Sequence, residues 1–93
     1  MKAYKIKSGA IVFHDEDSDS ELIIADTGED GLAGVETIGT PWLTAADMIR
    51  VGVMLTSIGR SMRCELSPSA AIDRATAGQH MDTDQYGIGI ANG

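Results

Sequence analysis

Asp15, Asp17, Asp19 and Asp26 have the spacing closest to a metal site in this chain. Calcium loops of the EF-hand type use acidic oxygens at positions one, three and five, a backbone carbonyl at seven, a hydrophobic residue at eight and a carboxylate at twelve, because Ca²⁺ takes roughly six to eight hard oxygens. Asp15, Asp17, Asp19, Glu21 and Leu22 fit the first five of these slots. The departures matter more. Ser20 stands where a glycine permits the sharp turn, Asp26 is shorter than the usual glutamate, and the flanking segments read as strands. If 21–25 is extended, Asp26 lies roughly 20 Å from the loop start and cannot close a cage. A solvated hairpin loop is therefore the expectation, with no metal ligand assigned.

The other chemical candidates are weaker. His80, Asp82 and Asp84 offer one nitrogen and two carboxylates, without a second histidine or a paired cysteine. His14 reads as a strand-end residue beside the acids. Cys64 falls on the apolar face of an expected strand and reads as packing, not as a nucleophile. Gly28, Gly31 and Gly34 surround Glu29 and Asp30, which repel phosphate, and Gly87 and Gly89 lack a following helix. No serine sits in a nucleophile elbow. No catalytic residue and no cofactor are assigned, and the chain reads as non-enzymatic.

Charge is the stronger signal. No lysine or arginine occurs between Lys7 and Arg50, and that stretch carries ten of the fourteen acids of a chain whose net charge is -7. Such a segment repels itself when compact, unless its acids face water, bind a cation or meet a basic partner. A direct nucleic-acid contact would need cationic groups instead. The expected partner is a basic protein, such as a nucleic-acid-binding complex. The expected contact residues are Asp15, Glu16, Asp17, Asp19, Glu29 and Asp30. Arg50, Ser57, Arg60 and Arg63 read as a solvated face that offsets the acids.

The elements that must position these residues follow from periodicity. Lys2 to Lys7 and Ala10 to His14 alternate around Ser8-Gly9, which describes a hairpin. Glu21 to Ala25 gives a third strand and Val35 to Ile38 a fourth. Thr44 with Asp47 three residues on, and Leu43 before it, marks a helix start. Ala45, Met48, Val51, Leu55 and Ile58 then form the expected buried stripe, with Gly59 as the stop. Met62, Cys64 and Leu66 alternate and suggest a fifth strand. Ser67-Pro68 opens a second short helix, and Tyr86, Ile88 and Ile90 suggest a last strand. The expectation is one α+β domain over 1–93: a mostly antiparallel sheet of about five or six short strands, order ββββαβαβ, with the Thr44 helix across one face. Residues 78–85 read as a polar, mobile loop.

The chain of 93 residues lacks an apolar run near the roughly 18–20 residues of a membrane span, and its start has no apolar signal core. Its one cysteine fits a reducing cytoplasm. Small size, acidity and the lack of a catalytic set are the general character of phage-encoded accessory proteins that inhibit host machinery, anti-CRISPR proteins among them. The alternative is a small homodimeric structural or Ca²⁺-binding module, self-associating through the Val53/Met54 side of the Thr44 helix.

Overall fold

A computed structural model describes residues 1–79 together with Met81 and Asp82. It is α+β, with β1 (Lys2–Lys7), β2 (Ala10–Asp15), β3 (Ser20–Asp26), β4 (Ala33–Ile38), α1 (Ala45–Arg63) and α2 (Pro68–Ala77). The four strands form an antiparallel meander in sequence order. Each is joined to the next by a short connection, as local pairing favours.

The first connection shows why this sheet closes where it does. Gly9 sits at φ 74, and a Cβ there would lie 2.0 Å from the Ser69 hydroxyl of α2. Only glycine meets both demands. Asp73 of α2 then accepts hydrogen bonds from the Ser8 hydroxyl and from the Gly9 N–H. The hairpin turn is thereby fixed to the second helix.

Register places Phe13 between Ala3 and Leu22, and Ile11 between Lys5 and Ile24. Ala3, Ile11, Phe13 and Ile24 form the sheet side of the core. Val51, Met54 and Ile58 of α1 and Ala71, Ile72 and Ala75 of α2 close it. The small residues of α2 let it lie closest to β2 and β3, while α1 packs principally on α2. The expected single helix across the sheet is thus a two-helix layer. Strand β2 is buried at all six positions, Tyr4 and Val12 being covered on the other face.

The capping box at Thr44 is present. The Asp47 N–H donates to Thr44 Oγ1 at 3.1 Å and the Thr44 N–H donates to Asp47 Oδ2 at 3.0 Å. Asp47 also lies 3.6 Å from the N-terminal amine. Its carboxyl is held below the usual range, chiefly by the Thr44 N–H.

Two expectations about α1 are corrected. The helix does not stop at Gly59 and no fifth strand follows, because residues 61–63 continue the helix and 64–65 turn. A glycine in a helix costs only about 1 kcal/mol relative to alanine, and Ser61, buried three residues after Ile58, keeps the helix on the core. The stop comes at Glu65, φ 66, with the Leu66 N–H returning to the Ser61 carbonyl at 3.3 Å. Cys64, expected to be buried, is therefore exposed at the helix end. The buried stripe is also rotated: Val51, Met54, Ile58 and Ser61 face inward, while Met48 and Leu55 are exposed.

The Ser67 cap and Pro68 start of α2 are as expected. The strand expected at 86–90 lies outside the described residues, as does most of the 78–85 connection. The described residues thus give four strands and two helices, order ββββαα. No helix among them is long and apolar enough to cross a membrane.

Candidate protein-contact surface

The β2–β3 turn is organised by one of its own acids. Asp15, the last residue of β2, is buried, and its carboxylate accepts the Asp17 N–H at 3.1 Å, the Ser18 hydroxyl at 2.6 Å and the Trp42 N–H at 2.8 Å. The Ser18 hydroxyl and the Trp42 N–H, followed by the Asp17 N–H, hold its carboxyl below the usual range against the opposing effect of burial. Asp15 therefore ties the turn to the segment that leads into α1. The expected role of Asp15 as a solvent-facing contact is corrected: its oxygens are engaged internally.

With Asp15 turned in, Glu16, Asp17 and Asp19 turn out. Asp19 adopts φ 50, a left-handed conformation that aspartate tolerates better than most residues. Its side chain is 93% exposed. Glu16 meets Lys2 at 3.3 Å on the surface. His14 lies between Asp19, at 3.8 Å, and its cross-strand neighbour Glu21, at 3.5 Å.

The β3–β4 loop is built from local bonds. The Gly28 N–H donates to Asp26 Oδ1 at 2.8 Å, the Glu29 N–H to Thr27 Oγ1 at 3.1 Å, and the Thr27 hydroxyl to the Leu32 carbonyl at 2.8 Å. These Asx- and ST-type turns leave Glu29 and Asp30 exposed. The two acidic connections lie at opposite ends of β3, separated by roughly 20 Å of strand.

Between them runs β4, the expected fourth strand, to which the sequence assigned no contact role. It pairs only with β3 among the described residues, and from Val35 to Ile38 it is exposed throughout. It carries Glu36 between Val35 and Ile38, two of the exposed large apolar side chains, with Leu32 just before it. By contrast, at the other sheet edge, the Asp82 N–H donates to the Ala3 carbonyl at 2.7 Å and the Ala3 N–H donates to Asp82 Oδ2 at 3.2 Å. The signal for β4 was available: 33–38 alternates poorly and leaves apolar residues on both faces, as an edge strand can.

The calcium pattern is not assembled. Asp15 is committed to the turn and Asp26 lies at the far end of β3, paired with Ala33. Asp82 is engaged by Ala3, while His80 and Asp84 lie outside the described residues. Among the described residues no group of three or more histidine, cysteine or acidic side chains is placed to hold a metal ion. Val53 and Met54 do not share a surface either: Met54 is 1% exposed in the core and Val53 faces out. No protein-family model matches the chain, and no curated protein or solved structure shows significant similarity to it.

Proposed function

We propose that this chain is a non-enzymatic binding protein that captures a basic, extended segment of a partner protein along the open edge of β4. The observation that carries the reading is the arrangement of unpaired charge around that edge. Among the described residues, Asp17, Glu29, Asp30 and Glu36 have no cationic partner, and they bracket or occupy a strand that pairs on one side only. An exposed edge accepts a further strand through main-chain hydrogen bonds, and flanking charges steer the encounter and set its register. Val35 and Ile38 supply the apolar contacts that charge alone lacks. The partner's basic segment is one that would otherwise meet nucleic acid, so the chain acts by occupancy or charge mimicry.

The other use of edge acids is to prevent sheet-to-sheet aggregation. The two roles separate in kinetics. The test is binding of an eight-residue peptide of alternating lysine and valine to the wild type and to a variant with Glu16→Gln, Asp17→Asn, Asp19→Asn, Glu29→Gln and Asp30→Asn. The expected result is an on-rate at least ten-fold slower for the variant at low salt, with a flatter salt dependence. Equal on-rates at low and physiological salt would reduce the acids to a solubilising surface.

A further inference from the structure

The outer side of α1 bears a second surface, of opposite charge. Ile49, Gly52, Val53 and Thr56 lie at helical spacing on the side away from Val51, Met54 and Ile58, and they line a groove of about 700 Å³. Arg60 of α1 and Arg74 of α2 converge on the same groove. Ile49 is 68% exposed and Val53 50% exposed, which is unusual for aliphatic residues lying together on one helix.

Three features set this groove apart from a plain solvated face. First, nothing lies within 4 Å of where a Cβ would stand at Gly52, which lines the groove. Packing within the chain does not ask for glycine there, although glycine weakens a helix; it does let another backbone approach closely. Second, Arg60, Arg63 and Arg74 have no acidic partner among the described residues of a chain rich in acids. Favourable interaction with helix C-termini explains where these arginines stand in the sequence, but not why two of them rim one apolar groove. Third, the span from Ile49 to Arg60 is roughly 16 Å at helical rise, the length of about three turns of a docked helix.

We infer that this groove binds an amphipathic helix of a partner protein whose apolar stripe is flanked by carboxylates. The apolar floor takes the stripe, and Arg60 and Arg74 take the carboxylates in the forked geometry that guanidinium groups favour. A second copy of this chain fits less well. Its described acids lie mostly on turns and strands, and the outward apolar residues of its α1, Ile49 and Val53, stand beside Arg60 and not beside carboxylates.

The chain's single cysteine, Cys64, lines the groove and reports its occupancy. The probe is a fifteen-residue synthetic helix with leucines at i, i+3, i+4 and i+7 and flanking glutamates, compared with the same peptide carrying lysines. The expected result is that the acidic peptide binds the full chain and slows modification of Cys64 by a thiol reagent at least five-fold. The lysine peptide should bind at least ten-fold more weakly. Arg60→Gln with Arg74→Gln should weaken the acidic peptide ten-fold or more while lowering the melting temperature by no more than a few degrees, and Thr56→Trp should block the groove without touching the charges. Equal binding of both peptides, or no protection of Cys64, would overturn the inference. So would a wild-type solution mass of a dimer that Thr56→Trp converts to monomer, since a second copy would then be the occupant.

Discussion

The two acidic connections of this sheet have similar composition and opposite construction. The β2–β3 turn is held by a long-range anchor, the Asp15 carboxylate bound to the Trp42 N–H twenty-seven residues away. The β3–β4 loop is held by bonds among residues 26–32, and apart from the Asp26 N–H, which donates to the Gly9 carbonyl at 3.1 Å, its acids make no bond beyond the loop among the described residues. A run of acids therefore contains two kinds of residue. One kind pulls the chain together by accepting hydrogen bonds in a buried position, and the other remains in water with its charge available. Only the second can serve a partner without cost to the fold.

Substitution should break the comparison most sharply at Asp15. Asp15→Ala removes the acceptor for three donors and releases the Trp42 N–H that ties the turn to the segment before α1, so the melting temperature should fall by several degrees or more. Glu29→Gln with Asp30→Asn should stay within about 0.5 kcal/mol of the wild type, as exposed loop positions usually do. Urea unfolding of the two variants side by side measures the contrast.

Acid titration sharpens it. Asp15 and Asp47 are held below the usual carboxylate range by hydrogen bonds. For Asp73, burial pushes upward but the Ser8 hydroxyl, the Gly9 N–H and Lys5 outweigh it. A carboxylate depressed in the folded state contributes stability that is full above the unfolded value of about 3.9 and is lost as pH falls through the folded value. Stability should thus decline from about pH 4 downward. Asp15→Asn should flatten that decline, and the Glu29/Asp30 variant should not.

A smaller loss than at Asp15 belongs to the helix start. Thr44→Ala should cost about 1 kcal/mol in the denaturant midpoint. The Asp47 link to the N-terminal amine is left in place.

What was legible in the residues follows the same division between local and distant. The Thr44 cap, the Ser67-Pro68 start and the four strands of the meander are set by neighbours within a few positions, and pattern reading finds them. The end of α1 was hidden because Met62, Cys64 and Leu66 alternate over too few residues to separate strand from helix, and Gly59 mimics a stop. The choice of Met54 over Leu55 as the core residue was hidden too: α1 is apolar around much of its circumference, so its inward face is decided by α2 and the sheet. Asp15 looked like its neighbours because its partner, a backbone N–H beyond two strands, leaves no trace in side-chain composition.

The claim that joins these observations is that the unpaired acids and the open edge of β4 form one binding surface. It is tested most directly by titrating the ¹⁵N-labelled chain with the alternating lysine–valine peptide and following the amide resonances. The account predicts shifts concentrated on 33–38 and on the two acidic connections, with those on β4 lost when a proline replaces the central valine of the peptide. Shifts spread over the acids but absent from β4, or unaffected by proline, would contradict strand addition and leave only diffuse charge attraction.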